Sequence, residues 1–478
     1  MSRPDSMRSK LEACGQTPVL QHMDALDAVA RESFVRRLES LPLDAMPALI
    51  EQLVMAEPSS PGGDLQPADC VCVDPDQACG SVSLIDVAPL RARGEAMLAD
   101  GRVAAFTVAG GQGTRLGWNG PKGTFPATPV TGKPLFRLFA EQIMAAQRQW
   151  GRTIRWYLMT SETNDAETRA FFLDNRCFGL DRRQIMMFPQ GMMPAFDMKT
   201  GHLLMDGPGS LAMSPDGHGG SFQALLASGA IDQMEGRGVE AISYFQVDNP
   251  LAPVLDPVFL GLHADEAHSS GEFTSKMVSK TGPDEKVGVF GAVDGRLGVV
   301  EYSDLSQAQA CSVDHAGRLR FAAGNVALHV ISTDFARRVA TARADDLPWH
   351  RAVKKVPHID PASGTHMSPS EPNAIKLERF VFDAMGIASK PAILEVKRVE
   401  QFAPIKNATG TDSAESSKQM QSDLYGSWLE QAGVQIPRCE DGHSDAAIEI
   451  SPLTSMGSQM LKGIDLPVEI PRGGSFAC

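Results

Sequence analysis

A glycine-rich stretch, AGGQGTRLGWNGPKG at residues 109–123, is the part of the sequence best suited to bind an anion. It follows the apolar run VAAFTVA at 103–109, and it carries two cations, Arg115 and Lys122. Glycines between a buried strand and a helix allow backbone N–H groups to approach phosphate oxygens closely. A structural turn without a ligand is the plainer alternative. Two cations in a loop that cannot bury them cheaply favour a polyphosphate ligand instead.

Two familiar phosphate-binding motifs do not fit this stretch. The dinucleotide motif G-x-G-x-x-G fails because Leu116 stands where the third glycine is required, and Gly117 comes one residue late. The P-loop motif fails because Gly132-Lys133 is followed by Pro134 in place of Ser or Thr. A kinase-type site is therefore not expected.

Asp248 is the candidate metal ligand. It follows the strand-like run AISYFQV at 241–247, and open α/β sheets bind ligands at the carboxyl ends of their strands. A carboxylate beside a triphosphate is repulsive unless a cation bridges them, and Mg²⁺ takes one or two carboxylates together with substrate phosphates. An Asx turn in VDNP is the structural alternative. Because Asp248 is followed by Asn249 and Pro250, the D-x-D pair of a glycosyltransferase is absent.

The elements that must position these residues alternate between strand and helix patterns. Strand-like runs lie at 103–109, 153–161 and 239–247, and the segment KPLFRLFAEQIMAAQRQWG carries an apolar helical stripe from Pro134 to Gly151. Repeated βα units predict an α/β fold with a doubly wound, mostly parallel, Rossmann-like sheet. We divide the chain into an N-terminal helical region with a linker (1–95), a catalytic domain (96–405) and a small C-terminal domain (406–478).

Composition narrows the class of partner. The chain of 478 residues has 44 Lys and Arg against 58 Asp and Glu, and its net charge of −14 argues against a nucleic-acid surface. No apolar run is long enough for a membrane span or a signal peptide, so we expect no membrane partner. Eight scattered cysteines indicate reduced thiols and a cytoplasmic protein, and zinc binding at Cys70, Cys72 and Cys79 is not favoured.

Ordered motifs along the chain carry a family resemblance. Besides the glycine-rich stretch they are MTSETN at 159, FPQGMMPAFD at 188, SPDGHGGSFQAL at 214, YFQVDNPL at 244, VVEYSDL at 299, GNVALHV at 324, KLERFVFDAM at 376 and RVEQFAPIKN at 398. With them the chain resembles the UDP-sugar pyrophosphorylases, in particular the eukaryotic-type UDP-N-acetylglucosamine pyrophosphorylases. Motifs in this order over about 300 residues are far more specific than one glycine loop.

The resemblance implies a uridylyltransferase. A sugar 1-phosphate oxygen attacks the α-phosphorus of UTP in line, which yields a UDP-sugar and pyrophosphate. The implied partners are UTP, an N-acetylhexosamine 1-phosphate, the UDP-sugar and pyrophosphate, and the implied cofactor is Mg²⁺ with Mn²⁺ as an alternative. A UDP-glucose or broad-specificity UDP-sugar pyrophosphorylase and a non-catalytic UDP-sugar sensor remain open.

The resemblance also assigns site residues by matching motif positions. The catalytic set is Arg115, Lys122 and Lys406; the nucleotide set is Gly110, Gly111, Gly113, Gln190, Gly217, His218 and Asp248, with Asp248 as metal ligand; the sugar set is Gly219, Glu301, Asn325, Phe380 and Phe382.

Three positions need a comment beside this assignment. His218 stands where the family usually carries Asn, and Gln401 stands where it commonly has an acid in contact with the region of Lys406. Phe380 and Phe382 alternate as on a strand, so they could equally belong to the hydrophobic core.

Overall fold

The chain is organised as two compact units in the computed structural model, which describes residues 3–57, 64–74, 82–342, 347–360 and 363–478. The first unit comprises Met1–Gly62, Gln190–Gln223 and Thr341–Asp383, and the second comprises Gly63–Pro189, Ala224–Ala340 and Ala384–Cys478. The division at residues 95 and 405 stays a prediction, although residue 95 lies inside a helix. Cys79 lies outside the described residues.

The helices of the described residues are numbered in chain order. They are α1 (Arg3–Ala13), α2 (Thr17–Ala25), α3 (Ala28–Glu39), α4 (Met46–Leu49), α5 (Val87–Ala99), α6 (Leu135–Trp150), α7 (Asp165–Asp174), α8 (Ser221–Ala227), α9 (Ala230–Glu235), α10 (Pro257–His263), α11 (Gln307–Ala310), α12 (Thr333–Thr341), α13 (Arg398–Gln401) and α14 (Ala414–Gln431). Short 3₁₀ turns span Thr114–Leu116, Lys122–Thr124, Arg176–Gly179, Arg182–Gln184, His218–Gly220, Val381–Gly386 and Ser458–Leu461, and a π-helical turn spans Ile50–Met55. None of these helices combines the length and the apolar character needed to cross a bilayer.

The strands of the described residues are numbered in the same way. They are β1 (Leu65–Pro67), β2 (Cys70–Cys72), β3 (Val82–Leu84), β4 (Val103–Val108), β5 (Trp156–Thr160), β6 (Ile185–Pro189), β7 (Met192–Pro194), β8 (Phe196–Asp197), β9 (Met205–Gly207), β10 (Ser210–Leu211), β11 (Met213–Pro215), β12 (Ala241–Gln246), β13 (Phe273–Ser279), β14 (Val289–Val293), β15 (Arg296–Val300), β16 (Ala323–Ser332), β17 (His350–Lys354), β18 (His358–Ile359), β19 (His366–Met367), β20 (Ala374–Glu378), β21 (Ala392–Glu395), β22 (Ala446–Glu449) and β23 (Gly474–Ala477).

A large mixed sheet forms the centre of the second unit. Its strand order is β3-β2-β21-β13-β16-β12-β4-β5-β6. Along this order only β16 runs against its two neighbours, and every other pair is parallel. The short strands β14 and β15 form an antiparallel ribbon beside β16, and β1 pairs with β14. The predicted mostly parallel α/β sheet is therefore confirmed, with one reversed strand at its middle.

The segments around the glycine-rich stretch form as their patterns predict. Strand β4 is buried along Val103–Thr107 because both of its faces are covered, which suits a central parallel strand. Helix α6 buries one apolar stripe and ends where Gly151 adopts a left-handed φ of 67°. Pro134 lies just before its first residue in extended conformation, so it marks the start of the helix from outside.

The first unit is built from α1–α4 and short antiparallel strands. Its largest sheet has the order β17-β20-β8. Three further two-stranded sheets are formed by the pairs β7–β11, β9–β10 and β18–β19. One hydrophobic cluster joins Phe34 and Met46 of the helices to Phe196, Ile375 and Leu377 of the strands. The N-terminal helices therefore share a core with residues far along the chain.

Candidate active site

The glycine loop, residues 109–123, leaves the carboxyl end of β4 and folds back on itself. The N–H of Lys122 donates to the carbonyl of Gly111 at 3.0 Å, and the N–H of Gly113 donates to the carbonyl of Gly120 at 2.9 Å. These two bonds close the loop without help from a ligand.

Two glycines of this loop are required by packing. A Cβ on Gly113 would lie 2.7 Å from the Cβ of Trp118, and a Cβ on Gly123 would lie 2.1 Å from the Phe136 ring. The indole of Trp118 is itself fixed by a 2.9 Å hydrogen bond to the hydroxyl of Thr124. The loop is therefore held in one shape by its own side chains.

Other parts of the loop are open to a ligand. The N–H groups of Gly110, Gly111 and Gln112 have no hydrogen-bond acceptor among the residues that the structure describes. A Cβ on Gly111 would have only one neighbour, the Lys122 side chain at 4.0 Å. Three adjacent backbone donors beside open space are the arrangement that binds phosphate oxygens.

Lys122 and Asp248 meet beside this loop. Strands β4 and β12 are parallel neighbours, and Val108 lies opposite Gln246, so the segments that follow the two strands emerge together. The Nζ of Lys122 lies 3.1 Å from Oδ2 of Asp248, and both side chains are mostly buried, at 15% and 16% exposure. The pair places a cation and a carboxylate at the edge of the sheet where open α/β folds bind ligands.

The other two predicted catalytic cations are more exposed. Arg115 extends from the glycine loop into solvent. Lys406 has 42% of its side chain exposed, lies 3.7 Å from Asp412 and stands over the ring of Phe402. Its neighbour Ile405 donates its N–H to the carbonyl of Asp248 at 2.8 Å, which ties this segment to the end of β12.

Lys133, the third cation near the glycine loop, is committed to structure. Its Nζ lies 2.7 Å from Glu141 and 3.6 Å from Glu449, and both carboxylates are buried. Since these partners already neutralise it, Lys133 is not a cation for substrate phosphates.

Glu301 and Asn325 of the predicted sugar set lie around one glycine. The N–H of Asn325 donates to the carbonyl of Gly288 at 2.9 Å, and Oε1 of Glu301 lies 3.3 Å from the position of a Cβ on Gly288. The amide oxygen of Asn325 accepts from the N–H of Ala327, which has a positive φ of 54° at an irregularity of β16.

The remaining predicted residues gather within the first unit. Gly217 has a φ of 83°, and a Cβ there would lie 2.4 Å from the carbonyl oxygen of Arg379. That same carbonyl accepts the N–H of Gly219 at 2.7 Å, and Gln190 is 9% exposed. This glycine turn therefore lies directly against the end of β20, just before Phe380 and Phe382.

His218 fills the centre of this cluster. Its ring stacks on Phe380 at 5.2 Å between centroids and lies 5.5 Å from Phe382. Its Nδ1 accepts the N–H of Val381 at 3.1 Å, which leaves the proton of the neutral ring on Nε2. Burial and, less strongly, the nearby His350 lower the pKa of His218 to about 4, so the ring is neutral at neutral pH.

The suggestion that Phe380 and Phe382 alternate along a strand is wrong. Strand β20 ends at Glu378, and Phe382 lies in a 3₁₀ turn. The turn forms because Val381 gives its N–H to His218 instead of continuing a strand ladder. Phe382 is buried and Phe380 is partly exposed, so only Phe382 is a core residue.

A buried carboxylate backs the same turn. Asp216 is 5% exposed, and burial raises its pKa to about 6, although Arg379 at 3.7 Å acts in the opposite direction. Added Cβ atoms on Gly191 and Gly220 would lie 2.5 Å and 2.2 Å from its oxygens, so the chain closes tightly around it. No role for Asp216 could be predicted, because a single Asp before glycines is indistinguishable from a turn residue.

Comparison with known proteins decides the family. Residues 70–427 match the family model described as UTP–glucose-1-phosphate uridylyltransferase. The chain belongs to this family. It is 36% identical over 368 residues to the UDP-N-acetylglucosamine pyrophosphorylase of Saccharomyces cerevisiae, covering 76% of this chain and 75% of that protein. It is 34% identical over 476 residues to UDP-N-acetylglucosamine diphosphorylase 1 of Arabidopsis thaliana, covering 95% and 90%.

A solved structure extends this similarity to the fold. The uridine diphosphate N-acetylglucosamine pyrophosphorylase of Trypanosoma brucei, solved in complex with an inhibitor, has a TM-score of 0.78 and 26% identity, and the match covers 99% of each chain. The recognised resemblance and the α/β fold class are therefore confirmed.

The structure brings the predicted site residues of this uridylyltransferase family member together in sets. In the second unit, the glycine loop, Lys122 and Asp248 form one group, and the backbone beside Lys406 is bonded to it; Glu301 and Asn325 form another group. In the first unit, Gly217, His218, Gly219, Phe380 and Phe382 form a third. The catalytic and binding roles of these residues stay predictions.

Two buried asparagines near the glycine loop were missed. The amide of Asn164 is fully buried and donates to the carbonyls of Ala109 and Gly111 at 2.9 and 3.4 Å. Asn249, next to Asp248, is 3% exposed and bonds the segment before Lys406. The available signal was an asparagine a few residues after each of two buried strands, β5 and β12, but its partners could not be read from sequence.

The residues around Asp248 fit a bound Mg²⁺. The described residues contain no group of three or more His, Cys, Asp or Glu side chains that could hold a metal alone. Asp248 offers one carboxylate beside three free backbone donors, and Mg²⁺ is commonly bound by one or two carboxylates completed by phosphate oxygens and water.

Proposed function

We propose that the protein transfers a uridylyl group from UTP to N-acetylglucosamine 1-phosphate, forming UDP-N-acetylglucosamine and pyrophosphate. The supporting observation is the glycine loop with its three free backbone donors beside the Lys122–Asp248 pair. The identity of the sugar rests on the names of the relatives from S. cerevisiae and A. thaliana. We also propose a cytoplasmic location, which the reduced thiols of Cys14, Cys177, Cys311 and Cys439 support.

The reaction needs alignment and charge neutralisation more than proton transfer. An oxygen of the sugar phosphate bonds to the α-phosphorus of UTP while the bond from that phosphorus to the β-phosphate bridging oxygen breaks. Both reactants are anions that repel each other, and the departing pyrophosphate gains charge. Backbone donors and cations that are already in place lower the barrier because they need no rearrangement.

The predicted phosphate-binding and metal-binding residues of the second unit have separate roles in this reaction. The N–H groups of Gly110 and Gly111 hold phosphate oxygens, Arg115 and Lys122 hold the β- and γ-phosphates that leave, and Lys406 holds the phosphates of the nucleotide sugar. Asp248 would hold Mg²⁺, or Mn²⁺ as an alternative, and when bound this ion would neutralise phosphate charge. Without nucleotide, Asp248 and Lys122 neutralise one another.

The remaining parts belong to ligand recognition. We assign Gln190, Gly217 and His218 to the uracil end of the nucleotide, because an amide and close backbone can read the donors and acceptors of the base. Gly219, Glu301, Asn325, Phe380 and Phe382 are assigned to the sugar and its N-acetyl group. These assignments rest on the family motifs.

A substrate panel tests the proposal. Purified protein is supplied with UTP, Mg²⁺ and, separately, the 1-phosphates of N-acetylglucosamine, N-acetylgalactosamine and glucose, and pyrophosphate release is followed. We expect the highest kcat/KM with N-acetylglucosamine 1-phosphate. A higher value with glucose 1-phosphate would make the protein a UDP-glucose pyrophosphorylase, and nucleotide-sugar binding without pyrophosphate release would make it a sensor.

A further inference from the structure

The side-chain amide of Asn249, beside the proposed metal ligand, makes three hydrogen bonds within the protein. It is 3% exposed. Its Nδ2 donates to the carbonyl of Gln401 at 2.7 Å, and its Oδ1 accepts the N–H groups of Ala403 at 3.0 Å and Leu251 at 3.2 Å. The amide thus uses its oxygen twice and its nitrogen once within the protein.

Two of these bonds, those with Gln401 and Ala403, join two stretches of the chain that were given roles. One is the turn at 248–251 that follows β12, and the other is the segment 401–406 that ends at Lys406. A third bond, from the N–H of Ile405 to the carbonyl of Asp248 at 2.8 Å, closes the same junction. The backbone positions of Asp248 and Lys406 are therefore linked by two bonds of the Asn249 amide and by one backbone bond.

The buried ion pair of Lys276 and Asp256 contacts the start of the segment 401–406. The side-chain oxygen of Gln401 accepts from Nζ of Lys276 at 2.7 Å, and that ammonium also lies 2.5 Å from Asp256. Lys276 is 1% exposed in its side chain and stands over the ring of Phe259. Gln401 is thus fixed through its side chain and its carbonyl, which gives Asn249 a rigid acceptor.

Metal binding is the alternative role for Asn249. Its Oδ1 would then join Asp248 as an oxygen ligand of the metal. Its Oδ1 already accepts two backbone N–H groups, however, and an amide nitrogen does not bind a hard cation. Metal binding would break two buried hydrogen bonds, each of which costs about 1–3 kcal/mol to leave unpaired.

We propose that Asn249 is a positioning residue that sets the distance between Asp248 and Lys406. The inference rests on the proposed function for the roles of those two neighbours. It assigns to Asn249 no contact with substrate or metal.

Asn249→Asp separates the two roles, because it keeps the size of the side chain but replaces the donor with a carboxylate oxygen that faces the Gln401 carbonyl. We expect kcat to fall at least about ten-fold, with no decrease in the Mg²⁺ concentration for half-maximal rate. Retained kcat with a lower Mg²⁺ requirement would identify Asn249 as a metal ligand and overturn the proposal.

A double-mutant cycle with Lys406→Ala measures the coupling between Asn249 and Lys406, which general destabilisation of the protein would not change. If Asn249 acts through Lys406, the loss of kcat/KM in the double variant is smaller than the product of the two single losses, by at least about three-fold. The same cycle is measured on the Kd for UDP-N-acetylglucosamine by calorimetry. Independent, multiplicative effects in both measurements would overturn the proposal.

Asn373→Asp is the control. The partly buried amide of Asn373 also donates to a backbone carbonyl and accepts a backbone N–H, both of Val356, at 3.1 and 2.8 Å, and its Nδ2 lies 3.3 Å from His358; neither partner has been given a role. We expect a loss of Tm with kcat/KM unchanged within about three-fold. An equal loss of kcat/KM in this control would reduce the effect of Asn249 to instability and overturn the proposal.

Asn249→Ser replaces Asn249→Asp in all measurements if the latter does not fold, since it removes the bond to Gln401 without adding charge. Failure of the proposed function is seen separately, as absence of pyrophosphate release in the wild-type protein. In that case the binding cycle still decides whether Asn249 acts through Lys406.

Discussion

Lys122 and Lys133 come from the same stretch of sequence, but they contact different partners. Lys122 faces Asp248 beside open backbone donors, whereas Lys133 is enclosed by two buried glutamates. A cation that binds a substrate phosphate must be able to leave its protein partner for that phosphate. Of these two lysines, only Lys122 meets this condition.

Lys122→Ala should therefore lower kcat at least about ten-fold while UDP-N-acetylglucosamine still binds, because the ammonium acts mainly on the departing pyrophosphate. Lys133→Met is the matched variant and should lower Tm while kcat stays within about three-fold. Steady-state kinetics, calorimetric binding and thermal unfolding measure the three quantities. Turnover of Lys122→Ala at the wild-type level would remove Lys122 from the mechanism.

The buried imidazole of His218 makes a separate prediction about pH. Its pKa is lowered to about 4, so between roughly pH 6.5 and 4 the unfolded chain takes up a proton that the folded chain does not. Stability linked to His218 is therefore present near neutral pH and lost as the pH falls through this window.

His218→Asn should show a smaller fall in Tm between pH 7.5 and 5 than the wild-type protein. His443→Asn should show a larger one, since the hydrogen bond that His443 donates to Asp423 raises the pKa of His443, and its stabilisation is present at low pH. Differential scanning calorimetry across this range makes the comparison. Identical pH dependence in all three proteins would contradict the burial of a neutral His218.

The positions of single residues were predictable where the residue lies beyond the end of a recognisable strand. Lys122 and Asp248 each follow a run that could be recognised as a buried parallel strand, and such runs end at one edge of a sheet. The ion pair of Lys133 with Glu449 could not be predicted, because it depends on tertiary packing of the C-terminal segment. The same holds for the contacts of Asn164 and Asn249.

At the scale of elements, the glycine loop contains two kinds of glycine. Gly123 is needed because the Phe136 ring of α6 occupies the place of its Cβ, whereas Gly111 has room on the protein side. Packing explains Gly123, and the proposed phosphate site would explain Gly111.

Gly111→Ala and Gly123→Ala should consequently fail in different ways. Gly111→Ala should keep Tm within about 2 °C but lower kcat/KM at least about ten-fold, because the methyl group occupies the path of the nucleotide phosphates. Gly123→Ala should lose about 2 kcal/mol or more of unfolding free energy through overpacking. Full activity of Gly111→Ala would contradict a phosphate site at this loop.

Element patterns were more predictable than element partners. The apolar stripe and terminal glycine of α6 and the doubly apolar β4 were sufficient to place both segments. The alternation of Phe380 and Phe382 was misleading because a bond from Val381 to His218, distant in sequence, replaces the strand by a turn. The reversed direction of β16 likewise follows from the connections around it, which no local pattern records.

At the scale of the whole molecule, the C-terminal segment is part of the second unit. Glu449 of β22 accepts the N–H groups of Val130 and Thr131 at 3.1 and 2.8 Å, and Gln421 of α14 donates to the carbonyl of Ala127 at 2.9 Å. Both contacts hold the loop that leads from the glycine-rich stretch into α6. The sequence could not reveal this, nor that each compact unit takes three separate segments of the chain.

Glu449→Ala should lower the free energy of unfolding by about 3 kcal/mol, because it leaves the N–H groups of Val130 and Thr131 without their acceptor and removes one of the two carboxylates beside Lys133. Glu430→Ala, which removes an exposed ion pair with Arg438, should change it by less than about 1 kcal/mol. Urea unfolding followed by tryptophan fluorescence measures both. A separate early transition in Glu449→Ala, with the rest of the protein unaffected, would show instead that the C-terminal segment folds on its own.

The central claim is that the glycine loop and Lys122 hold the triphosphate of UTP, and a crystal structure with UTP and Mg²⁺ tests it most directly. We expect phosphate oxygens within hydrogen-bond distance of the N–H groups of Gly110 and Gly111 and of the Lys122 ammonium. A triphosphate bound elsewhere, with these donors still facing water, would contradict the account.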